Sequence, residues 1–417
     1  MRKVIRDPIH GYIEIDELAI AILDTVELQR LRRIRQLGFS YLVYPGANHT
    51  RFEHSLGTYH LMNALLDKLG VSREEGRELR VASLIHDVGH GPYSHVTEPL
   101  IRMFTGRNHE DIEDILFARD AGREKSDVEA THIAEVLDDY RLDRHKIQGY
   151  IKGTGNDTDT DTGRDVTKIL NGEIDVDKMD YLVRDSYYTG VAYGVLDNMR
   201  LIQGLDFFAG RLVITEKGLL PAEYLLFSRF IMYPTVYRHH TSRIAGLMFA
   251  RAIEHYIESK ATYPEFVRAL RKMDDSELNV TLRTAAGYPE EMMRRINERR
   301  LFKRAVYTDV NKLEAGILAD LNTKNYMSDL EREIGIKAGV DERYIILDFQ
   351  GGNECILKES EARVVIRDER TTRSLREVSE LVSLLSRVFC ESCKIGVYTP
   401  GKYRDAVKRA AEEVLWH

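Results

Sequence analysis

Between Glu53 and Gly70, Leu61, Leu65 and Leu69 recur at every fourth position, which stacks them on one face of a helix, and Gly70 stands where that helix should stop. Upstream, Tyr12-Ile-Glu-Ile15 alternates as a short strand does, and Asp16 opens a helical stretch running to about Gln36. Ser72 and Glu75 have the spacing of a capping box, which predicts a helix from there to about Val88. Further helices are predicted over about 94–104, 108–118, 127–139, 174–187, 196–208, 221–233 and 237–260, with a weakly punctuated helical series continuing to about 335. Beyond about 338 the pattern changes: 344–349, 362–367 and 395–398 read as strands, with helices over about 375–388 and 401–416. The chain thus reads as mainly α, a helical core over residues 1–335 followed by a small α+β subdomain over 336–417. An acidic, low-complexity stretch over about 153–165 has nothing to pack and reads as a flexible loop.

Composition narrows the class. With 43% hydrophobic residues and only 9 prolines in 417 residues, the chain is neither disordered nor collagen-like. A net charge of −7 argues against a surface built throughout to grip nucleic acid, which leaves such binding unfavoured. Two basic helices remain, within Arg30–Arg35 and Arg294–Arg304, and each reads as a solvated or subunit-facing surface. No apolar run reaches the roughly 18 residues of a membrane span, and the start lacks the apolar core of a signal peptide. A cytoplasmic protein with no membrane partner is the expectation. Three cysteines form no disulfide framework, and Cys390-Glu-Ser-Cys393, with no second pair, reads as two thiols.

Six of the 14 histidines lie between His54 and His109, in a segment otherwise helical and apolar, so they need a reason. His86-Asp87 ends the apolar run Val81-Ala-Ser-Leu-Ile85, carrying an imidazole and a carboxylate to one buried edge. There they satisfy each other or a divalent metal. His90 follows near the bend Gly89-His-Gly-Pro92, and His95 after it. Asp177, Tyr181 and Asp185 stand at i, i+4 and i+8, one polar stripe beside apolar Met179, Leu182 and Val183. The stripe is either a solvated face laced by Lys178 and Arg184 or one wall of a cleft, and a tyrosine in its middle suits a cleft. Arg51-Phe-Glu-His54 puts a cation and an imidazole at a helix start, the end that favours an anion.

Taken in chain order, His54, His86-Asp87 and a distant Asp resemble the ligand set of the HD-domain metal-dependent phosphohydrolases. The strings Asp7-Pro-Ile-His-Gly11, Gln29-Arg-Leu-Arg32 with Gln36-Leu-Gly38, Arg51-Phe-Glu-His-Ser-Leu-Gly57, His86-Asp-Val-Gly-His-Gly-Pro92 and Asp175-Val-Asp-Lys178 with Asp180-Tyr181 and Arg184-Asp185 are similar to those of the deoxynucleoside triphosphate triphosphohydrolases in that group. The resemblance covers residues 1–310 and implies an HD-domain helical bundle for the core. It implies one divalent ion per active site, Mn, Fe, Mg, Ni or Zn, held by His54, His86, Asp87 and Asp177. It further implies that His109 is the catalytic imidazole, oriented by Glu98, with His95 beside the attacked phosphate and His90 and Arg51 stabilising its charge. Lys178 and Tyr181 would hold the triphosphate, and Arg229 matches another phosphate contact. Gln36, Leu37, Tyr237 and Asp185 match residues that select the sugar, whereas Arg238 replaces a neutral Gln at the base or sugar.

Some members of this group need a nucleotide at a second site between subunits. Lys3, Asp24, Gln29 and Arg32 match the guanine-nucleotide part of that site, and Arg200, Lys217, Arg299 and Lys303 part of its neighbour. The resemblance therefore implies an activating nucleotide and a homo-oligomer, dimer or tetramer, besides the nucleotide substrate. Hydrolysis of deoxynucleoside triphosphates to deoxynucleoside and inorganic triphosphate is the function it implies. The same metal group acting on nucleoside monophosphates or other phosphate esters is the alternative, and a nucleotide-binding regulator with little catalysis stands against both.

Overall fold

The structure is a computed structural model that describes residues 3–118, 130–154, 163–259, 263–313, 317, 320–321, 324–350, 357–366, 370–391 and 393–416. It is mainly helical, as the periodicity predicts. Most of the acidic stretch read as a loop, residues 155–162, and the start of the helix expected at 127 lie outside the described residues. Among the described residues no helix is long and apolar enough to cross a membrane.

The chain opens with an antiparallel hairpin, Lys3–Asp7 paired to Gly11–Ile15, whose Ile13 and Ile15 are buried. The single helix expected from Asp16 to Gln36 is two, Glu17–Leu23 and Val26–Leu31, because the Thr25 hydroxyl donates to the Ile22 carbonyl and turns the chain between them. Helix Arg51–Leu69 runs through the middle of the core, started by a Thr50/Glu53 capping box and stopped by Gly70 at φ +66°. Leu61, Leu65 and Leu69 are all buried in it. The next helix starts later than expected, at Arg77, because Ser72 accepts the Glu75 amide in a turn. It ends at Ile85, which delivers His86 and Asp87 to its edge. Helix Val176–Thr189, capped by Asp175 through the Lys178 amide, packs beside Arg51–Leu69.

Two small sheets take in the three strands expected beyond 338 and add strands that the sequence reading did not expect. Residues 205–208, expected to finish a helix, form a hairpin with Arg211–Ile214 around Ala209 and Gly210, both at positive φ. Ile214 then pairs in parallel with Val364, and strand Arg363–Ile366 pairs with Thr371–Ser374. A second sheet has Lys394–Thr399 at its centre, flanked antiparallel by Lys303–Asp309 and Ile346–Gln350. The boundary read at 335/336 falls inside helix Lys324–Ala338, which packs on this sheet beside Arg404–Trp416. Three other C-terminal residues go the other way: Leu357, Leu385 and Phe389 pack on Phe230 and Tyr233 of the helical core. Cys390 is an exposed free thiol, but Cys393 is disulfide-bonded, so the reading of two thiols holds for Cys390 alone.

One buried ion-pair network ties the hairpin to both central helices. Arg184, fully buried, donates 2.8 Å bonds to Asp7 and Asp180, and His10 Nε2 lies 2.6 Å from the other Asp180 oxygen. The helices meet here at Gly57, where a Cβ would sit 1.8 Å from Asp180 Oδ1 and 2.4 Å from Arg184 Nη2. Alanine is the better helix former by about 1 kcal/mol, yet the overpacking dominates. Gly57→Ala is expected to lower the thermal unfolding midpoint, for a net loss of up to about 2 kcal/mol. An unchanged or higher midpoint would mean that the two helices part without cost.

Candidate metal centre and phosphate cleft

Four donors from three helices converge below the Gly57 contact. His54 comes from the first turn of Arg51–Leu69, His86 and Asp87 from just past Arg77–Ile85, and Asp177 from the first turn of Val176–Thr189. His54 Nε2 lies 2.8 Å from Asp177 Oδ1, 3.3 Å from His86 Nε2 and 3.9 Å from Asp87 Oδ2. His86 Nε2 lies 3.5 Å from Asp87 Oδ1 and 3.7 Å from Asp177 Oδ1.

The other ring nitrogens fix the tautomers. His86 Nδ1 donates to the Ser83 carbonyl at 2.9 Å, and His54 Nδ1 lies 2.8 Å from Asp180 Oδ2, whose carboxylate is held ionised by Arg184. Both Nε2 atoms therefore face one point together with two carboxylates. Without a metal, His54 is raised to about 10 despite its burial, by its bonds to Asp177 and Asp180; a divalent metal would take the place of that proton, so the residues present fit one.

A second group adjoins it. His90 Nε2 lies 3.4 Å from Asp87 Oδ1, and its ring stacks on that of His109 with centroids 4.0 Å apart. Glu98 hydrogen-bonds His109 Nδ1 and lies 3.5 Å from His95 Nδ1. Burial works against charge on both Glu98 and His109, but their mutual bond outweighs it: Glu98 is held well below the carboxylate range and His109 is raised above 6.5. Burial, Arg51 and His109 push His90 well below 6.5, which keeps it neutral. His95 is largely exposed, at the mouth of the group.

Arg51 is 2% exposed. Its Nη1 donates to Asp87 at 2.6 Å and its Nε to Ser94 at 2.5 Å, while Nη2 has no hydrogen-bond partner among the described residues. Asp185 accepts from the Tyr237 hydroxyl at 2.9 Å and lies 2.8 Å from His49 Nε2. Tyr181 stands edge-on to both His54 and Tyr237, which carries the predicted stripe from the metal group to Asp185. Gln36, half-buried, takes a backbone bond from its amide to His49 O, and Leu37 packs against the core next to it. Arg229 and Arg238 flank the Tyr233 ring, at 5.5 and 4.7 Å from its centroid. Lys178 donates to Asp175 at 2.6 Å and to Gly172 O, and Arg229 pairs with Glu359.

The eight residues matched to a second nucleotide site lie at the surface, with Gln29 half-buried. Gln29 Oε1 accepts from Arg32 Nε at 2.9 Å, and Arg32 covers the Phe52 ring. Lys3 and Asp24 are exposed, as are Arg200, Lys217, Arg299 and Lys303, and Arg299 donates to the Leu42 carbonyl. Sequence reasoning missed five residues that build the cleft: His49, Asp180, Glu359, Arg30 and Arg271. Arg30 donates to the carbonyls of Val88 and His90, and Arg271 to those of Gly89 and Asp111, clamping the loop between His86 and His109. Asp180 had a local signal, one turn before Arg184 on a helix already read as functional; Arg30 stood in a basic helix read as a solvated or subunit-facing surface, which its bonds to the Val88, His90 and Met273 carbonyls correct.

Comparison with known proteins agrees with this geometry. The HD domain matches residues 51–185, and the HD associated region residues 196–416. The uncharacterized protein MJ1154 of Methanocaldococcus jannaschii is 35% identical over 95% of this chain and 79% of that protein. The deoxynucleoside triphosphate triphosphohydrolase SAMHD1 homolog of Dictyostelium discoideum is 30% identical over 60% of this chain, which spans only 48% of that relative's length. A phosphohydrolase structure from Bacteroides thetaiotaomicron superposes with a TM-score of 0.74 at 25% identity, covering 96% of this chain and 100% of that one. The HD match brackets all four converging donors, and the associated region accounts for the chain beyond them: the protein belongs to the HD-domain phosphohydrolases.

Proposed function

We propose that this phosphohydrolase cleaves deoxynucleoside triphosphates to the deoxynucleoside and inorganic triphosphate, by attack of water on the α-phosphorus. The observation that carries the reading is Arg51 Nη2, a buried guanidinium N–H with no partner among the described residues, next to a metal group from which Tyr181 leads to Tyr237 and Asp185. A buried donor left over beside a cation site suits a phosphate oxygen. The Dictyostelium relative, named for the same reaction, supports the choice of substrate.

A divalent ion held by His54, His86, Asp87 and Asp177 would supply a Lewis acid that activates water and polarises the phosphate. Arg51 and neutral His90 would bind the phosphoryl oxygens, with His95 at the mouth. His109, kept protonated by Glu98, would give its proton to the departing 5′ oxygen. Lys178, Tyr181 and Arg229 would hold the phosphate tail. Asp185, fixed by His49 and Tyr237, would accept from the 3′-hydroxyl, with Gln36 and Leu37 against the sugar and Arg238 near the base. An activating nucleotide at the eight surface positions, and the oligomer it would join, belong to the same reading. One observation favours monophosphates or other phosphate esters instead: Lys178 and Arg229 already have carboxylate partners.

Incubation with each deoxynucleoside and ribonucleoside triphosphate, singly and mixed, with Mg or Mn, should yield tripolyphosphate and free deoxynucleoside by phosphorus NMR. Orthophosphate released stepwise, or turnover of monophosphates alone, would contradict the reading. His86→Ala and Asp177→Ala should each lose the bound ion, measured by elemental analysis after dialysis, together with turnover. Asp180→Asn should keep the four donors but weaken metal affinity by about 10–100-fold, because it releases the His54 ring. Retention of native metal content in Asp177→Ala would remove that residue from the ligand set. For pH, raising His109 extends its protonated form upward, so kcat/KM should fall at a higher pH than an unshifted imidazole would set. Glu98→Gln removes the cause of that shift and should move the fall to lower pH; an unmoved profile would show that His109 is not the proton donor.

A further inference from the structure

Glu359 is 1% exposed and lies 130 residues from the arginine it pairs with. It belongs to the turn Lys358–Glu361, whose backbone is fixed on both sides: Ser360 donates through its amide and hydroxyl to Leu357 O, at 3.0 and 2.7 Å, and the Ala362 amide donates to Glu359 O at 3.1 Å. Leu357 packs with Leu385 and Phe389 against Phe230 and Tyr233, anchoring the turn to the helix Leu219–Met232 that carries Arg229. The carboxylate therefore reaches Arg229 from a rigid support. Its charge also acts on Lys178 and Tyr181, the other two groups assigned to the phosphate tail.

We propose that Glu359 is a built-in competitor for the phosphate tail: its carboxylate holds the Arg229 guanidinium in the place of a phosphate oxygen and must be displaced by substrate. This rests on the reading of the cleft as a polyphosphate site. A carboxylate and a terminal phosphate offer an arginine the same kind of oxygen pair, so one excludes the other at the Nη1 donor. Glu359 thereby sets which tails the cleft accepts. A long, highly charged tail displaces it, whereas a single phosphate held at the metal group never reaches Arg229.

The test is calorimetric titration of the metal-loaded protein with inorganic tripolyphosphate, pyrophosphate and orthophosphate. Glu359→Gln and Glu359→Ala should bind tripolyphosphate roughly tenfold or more tightly than the native chain, as expected when one charge-assisted hydrogen bond no longer has to be broken. The gain should shrink for pyrophosphate and vanish for orthophosphate, and adding Arg229→Gln should erase it. A purely structural glutamate would give weaker binding on removal, so unchanged or weaker tripolyphosphate binding in both variants overturns the proposal. Thermal unfolding of each variant checks the fold, and Glu359→Asp, which keeps the charge, should retain native affinity. A parallel deoxynucleoside triphosphate assay separates the two ideas. Tighter tripolyphosphate binding without turnover sinks the triphosphohydrolase reading and leaves the competitor standing; normal turnover with unaltered tripolyphosphate affinity does the reverse.

Discussion

Two imidazole nitrogens, His54 Nε2 and His86 Nε2, face each other at 3.3 Å. They are kept in place because each ring is held from behind, His86 by the Ser83 carbonyl and His54 by Asp180. Asp180 in turn is fixed by Arg184 and His10, and Arg184 by Asp7 of the opening hairpin. The bundle is thus assembled around a buried charge network whose outer end is the hairpin and whose inner end is a cation site. Removing one partner from such a network leaves a buried charge uncompensated, which typically costs about 3–5 kcal/mol. That cost explains why side chains as large as Arg184 are packed at full burial beside a glycine.

The same constraint organises the phosphate side of the cleft. Asp87 is shared between the metal group, Arg51 and His90, so any anion drawn to Arg51 lands next to the metal donors. Glu98 and His109 form a separate pair one residue layer away, stacked on neutral His90, which insulates an imidazolium from the metal group. Arg30 and Arg271 use backbone carbonyls to hold the intervening loop, and Arg271 also donates to Asp114 at 3.0 Å.

Local sequence carried the helical core well because its signals are local: Gly70 at a helix end and leucines at i+4. It failed where a pairing or a single side-chain bond, not periodicity, decides the element, and where the partner is far away. Residues 205–208 looked helical, but they pair across the turn at Ala209 and Gly210 with Arg211–Ile214. Thr25 broke a helix through a single hydroxyl bond that propensity does not announce. In the cleft, the stripe Asp177, Tyr181, Asp185 was readable from spacing, and so were His54 and His86-Asp87. His49 and Glu359 were not, because each gains its meaning from a contact 136 or 130 residues away. The C-terminal residues read as a separate subdomain are divided between a sheet shared with Lys303–Asp309 and packing against the helical core.

The most direct measurement is an anomalous difference map from crystals of the Mn-loaded protein. A single peak in contact with His54, His86, Asp87 and Asp177 is expected, with His54 Nδ1 still bonded to Asp180. A peak at the His90, Glu98 and His109 group instead, or none at full Mn occupancy of the crystal solution, would contradict the assignment of the metal centre.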